Sequence, residues 1–254
     1  MIGLTITTSK RLSLFKKTIE SFALNCLDLE LFDIIIHYDD SSSNEDRNEM
    51  SFILKKLFPN KIIISRNFNE ESFLTKKRHA NIMKMWKDDI KLSNLSYVFH
   101  LEDDWFFEKH FKLVDGIKIL KSRDDIALIG YSWKKKEFPL DFFIPEIIDS
   151  YWEWFYSDKY NLNEPLMYDT VEMEYLPDGH WVKIVNWPYF GFRPAIHDVV
   201  KLNTLSNFKT DIDNFELEFA QRFGKKYKSF LHLERIAYHI GNEASSYDLN
   251  NSDR

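Results

Sequence analysis

Residues 99–107 read FHLEDDWFF. Glu102, Asp103 and Asp104 follow an apolar run and precede a cluster of aromatic rings. Adjacent carboxylates repel, and neighbouring rings exclude the water that would screen them. Such a cluster becomes tolerable when a cation completes it. Oxygen donors at this density suit a hard divalent ion, which can in turn hold a diphosphate. Two other polar groups follow apolar runs in the same manner. Thr7 ends IGLTIT and Ser9 and Arg11 follow it, and Asp39 and Asp40 come after LFDIIIHY.

The elements that must position these groups are readable from periodicity. IGLTIT is short and rich in β-branched residues and predicts a strand. Leu12, Phe15, Ile19 and Phe22 then recur at helical spacing, with Ser9 or Ser13 as the expected cap. LFDIIIHY is a near-continuous apolar strand of the kind buried in parallel sheets. Met50, Ile53, Leu54 and Leu57 mark a second helix, KIIIS a third strand, and Ile82, Trp86 and Ile90 a helix over about 72–91. YVFHL is a fourth strand that ends in the acids, and a helix over about 111–120 leads to a fifth, IALIGYS. This alternation predicts an α/β fold, a mostly parallel central sheet with helices on both faces. In such sheets ligands bind beyond the carboxyl ends of the strands, so the three polar groups would share one edge.

The second half is less regular. Residues 133–170 are rich in aromatics and acids without a clear period. VEMEYL alternates like a strand, WPYFGFRPAIHDVVKL reads as a strand or loop feeding a helix, residues 216–223 as helical, and RIAYHIG as a late strand. No internal repeat or linker divides the 254 residues. The net charge of -6 gives no electrostatic reason to expect nucleic acid as a partner. Cys26 is the only cysteine, which excludes an intrachain disulfide, and its apolar helical context predicts a buried thiol. The opening MIGLTITTSKR lacks the apolar stretch of a signal peptide, and no window approaches a membrane span. The expectation is a cytoplasmic protein, with peripheral membrane contact through exposed aromatics left open. Aromatics form 16% of the chain, a content that suits a packed core and also stacking on sugar faces.

The TTSKR start, the HYDDSSS turn and the HLEDDW segment, in that order and spacing, resemble the inverting GT-A glycosyltransferases, family-2-like. The resemblance covers roughly residues 2–241 and is firmest over the first 110. It implies a single GT-A domain over 1–254: a nucleotide-sugar-binding half at about 1–110, an acceptor and catalytic half at about 111–241 that is irregular and aromatic-rich, and a tail at 242–254. It implies transfer of a hexosyl or deoxyhexosyl group from a nucleotide-diphosphate sugar to a glycan or other hydroxyl acceptor, with Mn2+ or Mg2+ as cofactor. Thr7 and Arg11 would then line the first nucleotide-contact loop. Asp40, with Asp39 as alternate, would accept the base N–H, which favours UDP. Arg78, helped by Lys77, would contact the diphosphate. Asp103 would lie by the ribose or sugar, and Asp104 would bind the metal. Read as E-x-D, the EDD run puts Glu102 in place of the first acid of the family's D-x-D, a departure that leaves open whether Glu102 or Asp103 is the second acid of the pair. Glu216, six residues before Arg222, would be the catalytic base, with Glu218 as the alternate. His239 in AYHIGNEASS would complete the metal shell. Trp152, Trp154, Tyr189, Phe190 and Gly191 would frame the acceptor.

Other readings compete. A sugar-phosphate nucleotidyltransferase would carry a glycine-rich loop after its first strand, and TITTSKRL has no glycine. A metal-dependent phosphoesterase would need a second metal cluster. A non-catalytic, glycosyltransferase-like module that binds glycans keeps the fold without turnover.

Overall fold

A computed structural model describes residues 1–68, 75–133, 181–183, 190–212, 215–232 and 236–241. The first half alternates as its periodicity predicts. β1 (Ile2–Thr8) leads to α1 (Leu12–Asn25), β2 (Ile34–Asp40) to α2 (Asn44–Leu57), and β3 (Ile62–Phe68) to α3 (Thr75–Leu92). β4 (Tyr97–Glu102) turns through Asp103 and Asp104 into the short β5 (Trp105–Phe107). Then come α4 (Leu113–Ser122), β6 (Ile126–Gly130) and β7 (Ser132–Trp133). The later part supplies β8 (Trp181–Lys183), β9 (Ala195–Asp198), α5 (Val199–Leu202), α6 (Phe215–Gly224), β10 (Lys228–His232) and β11 (Ala237–His239).

Eight strands form the main sheet in the order β3-β2-β1-β4-β9-β6-β10-β8, and β5-β11-β7 form a small second sheet. β3, β2, β1 and β4 are parallel neighbours, and so are β6 and β10. β9 lies antiparallel between β4 and β6. The register brings the strand ends level: Thr7 pairs with Tyr38 on one side and Glu102 on the other, and Thr8 pairs with Asp39. Every group singled out after β1, β2 and β4 therefore reaches one edge.

Helices cover both faces. Phe15, Ile19 and Phe22 of α1, Met50 and Leu54 of α2, and Leu113 and Leu120 of α4 pack one apolar layer. Met83, Trp86 and Ile90 of α3 pack the other with Phe219 and Phe223 of α6. α2 starts as its composition directs: Ser43 accepts the Asp46 N–H at 3.0 Å, acids fill the first turn and lysines the last. α1 departs from expectation. Neither Ser9 nor Ser13 caps it; Arg11 holds the N-cap position without a side-chain bond. The Ser9 N–H goes instead to Asp103 Oδ2 at 3.2 Å.

Under the sheet, His79, His100 and His197 are packed around Trp86 and Phe192. Burial lowers His79 to about 4 and His197 to about 3. His100 shares the Thr5 hydroxyl with the Trp86 indole, whereas neither His197 ring nitrogen has a hydrogen-bond partner. The unfolded chain takes up protons on these rings below about pH 6.5 and the folded chain resists them. Their neutral forms thus favour folding fully above pH 6.5, and that advantage is lost as pH falls toward 4, at up to about 1.4 kcal/mol per pH unit for each ring. His197→Leu should therefore hold or raise the melting temperature at pH 7.5 and flatten its decline toward pH 4.5, as thermal unfolding across that range will read.

Candidate active site at the strand ends

The acidic turn is fixed from both sides by backbone. The Thr18 hydroxyl of α1 donates to Asp103 O at 2.8 Å and accepts the Trp105 N–H at 3.1 Å. The Ile240 N–H donates to Asp104 O at 2.7 Å, just beyond the pairing of His239 with Trp105 across β11 and β5. Two distant segments thus hold one two-residue turn.

The side chains find unequal company. Glu102 accepts the Trp105 indole N–H at 3.2 Å. Burial pushes Glu102 up to about 8; the charges of Asp104 and then Glu216 add to this, while the indole opposes it. Asp103 is fully buried and gripped by Arg11, whose Nε lies 3.2 Å from Oδ2 and whose Nη2 bonds Oδ1. Burial still pushes Asp103 up to about 7 against the pull of Arg11. Asp104 Oδ2 receives Arg11 Nη1 at 2.9 Å and lies 3.0 Å from His239 Nε2. Burial disfavours charge on Asp104, but His239 and Arg11 outweigh it and hold the carboxyl below its ordinary value. Asp104 Oδ1 is buried and has no hydrogen-bond partner among the described residues. Arg11 is raised in turn: burial works against its charge, and Asp103 and Asp104 overcome that.

The second strand end separates its two acids. Asp39 is fully buried, and both its oxygens are occupied by protein donors, the Thr8 hydroxyl, the Ser42 N–H and Arg47 Nε. Asp40 accepts the Ser41 hydroxyl at 3.0 Å and pairs with Arg78 Nε of α3 at 2.9 Å. Burial raises Asp40, with Arg78 opposing. Lys77 is exposed beside Arg78. Lys10 and Ser41, one in each strand-end loop, have positive φ of 53° and 66°, and the Lys10 N–H reaches Ser42 Oγ at 3.0 Å. Left-handed backbone at non-glycine residues is uncommon and strained, and here it marks both loops of the edge.

The late helix also discriminates. Glu218 is bound by Arg222 through two bonds of 2.8 Å and by Lys209 at 2.9 Å. Glu216 lies near enough to Glu102 to raise its pKa. Among the acceptor residues, Phe190 is 1% exposed and packs on Phe219 and Phe223, so its ring serves the core. This corrects its expected place at the acceptor. A Cβ at Gly191 would meet nothing within 4 Å. Trp152, Trp154, Tyr189, VEMEYL and the tail at 242–254 lie outside the described residues.

Sequence reasoning missed Gly241. A Cβ there would stand 2.8 Å from both Asp104 Oδ2 and His239 Cε1, so any side chain at 241 would have to displace the carboxylate or the imidazole. Its signal was the Gly two residues after the late His.

No protein-family model matches the sequence, and no curated protein does. Solved structures do. The mannosyltransferase PcManGT from Pyrobaculum calidifontis, in complex with GDP-Man and Mn2+, superposes with a TM-score of 0.61 at 10% identity. That match covers 96% of this chain and 58% of the mannosyltransferase. S. aureus TarS 1-349 in complex with UDP-GlcNAc gives a TM-score of 0.57 at 11% identity, over 97% of this chain and 60% of TarS. The chain has the GT-A fold. It spans about three-fifths of the length of these neighbours. In this GT-A sheet, as the resemblance implied, the acidic turn follows the fourth strand. No helix among the described residues is long and apolar enough to cross a membrane.

Gly241→Ala should push Asp104 and His239 apart while leaving the sheet intact. If this pair belongs to the donor site proposed below, Mn2+ or nucleotide affinity should fall by roughly tenfold, the order seen when groups that orient metal ligands are lost. Calorimetry beside a thermal melt that shifts by only a few degrees would check both parts.

Proposed function

We propose that the chain is a metal-dependent, inverting glycosyltransferase that moves a sugar from a nucleotide-diphosphate sugar, UDP-linked by preference, to a glycan or other hydroxyl acceptor. The observation that carries this reading is Asp104, a buried carboxylate at the carboxyl edge of a GT-A sheet with one oxygen left without a partner. A buried acceptor atom is costly unless something binds it. The donor chemistry fits a divalent ion held by Asp104 and His239 with Glu102 behind them. Among the described residues no three acid, His or Cys side chains converge on one metal site. Two protein ligands are nonetheless in keeping with ions that take their remaining ligands from substrate phosphates and water, and an imidazole favours Mn2+ over Mg2+. Such an ion would supply Lewis-acid stabilisation of the charge that gathers on the departing diphosphate.

The chain's own groups do the rest. Arg78, with Lys77 beside it on α3, is the basic partner we assign to the diphosphate, where charge-assisted bonds strengthen as the glycosidic bond breaks. Its pairing with Asp40 couples that role to base recognition. Asp40, which accepts Ser41 and Arg78, is the acceptor we assign to the base N–H, with Asp39, held by three protein donors, as the alternate. Thr7 and Arg11 belong to the nucleotide loop, and Asp103 lies toward the ribose or sugar. Glu216 takes the acceptor proton as the hydroxyl attacks from the opposite face, and a single displacement inverts the anomeric centre. Glu218 is disfavoured as base by its double bond to Arg222. The acceptor would be framed by Trp152, Trp154, Tyr189 and Gly191.

Titration of UDP, GDP and TDP with and without Mn2+ tests the donor site. One nucleotide, expected to be UDP, should bind only with Mn2+, and Asp104→Asn should abolish that binding. Binding of none of the three would overturn the reading. Glu216→Gln should keep donor affinity and lower transfer by about 10²–10⁴, the usual worth of a general base. A dead Glu218→Gln beside an active Glu216→Gln would move the base by two residues.

A further inference from the structure

We propose that Arg11 is a resident counter-cation of the acidic turn, and that a divalent cation reaches Asp104 by displacing one arm of Arg11. The proposal rests on the donor-site reading above, but its deciding measurements use Mn2+ alone, and UDP serves only to tell the two readings apart.

The guanidinium is divided unequally. Nε and Nη2 grip both oxygens of Asp103, a fork–carboxylate pairing of the strong, planar kind. Nη1 makes one bond of 2.9 Å to Asp104 Oδ2. Asp103 is fully buried and also takes the Ser9 N–H, so its donors are complete. Asp104 is half served: Oδ2 is shared by Arg11 and His239, and Oδ1 has no partner. A dication on Asp104 would meet the guanidinium charge across a single carboxylate, and like charges at that range in a partly dry site repel strongly. The single bond is the one that yields. The fork on Asp103 stays, and with it the turn, which Thr18 and the Ile240 N–H hold independently. Arg11 is thus a positioning residue with two opposed effects. It keeps Asp104 formed before the ion arrives, and it competes with the ion for Asp104.

The test takes the full chain with Mn2+ alone, reading free Mn2+ by electron paramagnetic resonance and melting temperature with and without the ion. Arg11→Gln should melt lower than the natural chain in metal-free buffer. It should bind Mn2+ about tenfold more tightly, the order expected when about 1.4 kcal/mol of competition is removed. Mn2+ should restore most of the lost melting temperature. Arg11→Lys keeps the charge without the fork and should fall between. A folded Arg11→Gln that binds Mn2+ no more tightly than the natural chain would overturn the proposal. If Arg11→Gln does not fold even with Mn2+, Arg11→Lys decides, and unchanged Mn2+ affinity in it overturns the proposal. Absence of Mn2+ binding in all three proteins overturns it too, whereas metal-free UDP binding by the same preparation would preserve a donor site without this competition.

Discussion

Arg11 lies across Asp103 and Asp104, and the carboxyl edge of the sheet depends on that pairing. Asp103 and Asp104, at a buried strand end, would otherwise carry uncompensated charge, a penalty of several kcal/mol per ion in a protein interior. The compensation comes from the loop after β1 because β1 and β4 are parallel neighbours with Thr7 opposite Glu102. About two turns further, α1 contributes Thr18, which ties the same acidic turn by its main chain. Strand pairing, helix placement and charge balance are therefore a single arrangement.

The degree to which each acid is already satisfied sorts its role. Asp39 has protein donors on both oxygens and reads as the brace of its loop. Asp103 is likewise full. Asp104 keeps one buried oxygen without a partner, which structural acids rarely do. On α6, Glu218 is held by Arg222 and Lys209, whereas Glu216 makes itself felt at Glu102. At the strand ends, donor counts thus separate the braces Asp39 and Asp103 from Asp104.

Local sequence carried the βα units of the first half because each has its own period: β-branched runs for β1, β2 and β3, and helical spacing for α1, α2 and α3. It also carried the three polar strand ends, since parallel pairing makes their levels agree. It did not carry β9, whose place between β4 and β6 depends on partners nearly a hundred residues away in one case. Short strands such as β5 and β10 lack the length to show a period. Resemblance alone sets Phe190 at the acceptor, and only the packing of α6 reveals its ring as core. The grip of Arg11 on the acids and the closeness of Gly241 were hidden for the same reason: both join residues that meet only in the folded chain.

β9 and β11 come late in the chain yet sit at its centre. β4 can pair with β1 once the first hundred residues exist, but β6 can join that sheet only through β9. The acidic turn gains His239 and the Ile240 N–H later still. A chain emerging from the ribosome would therefore carry its acids in a finished strand long before their last partners are made. Assembly of this edge waits for β9 and β11, and the acidic turn cannot reach its final form before both small and large sheets are paired.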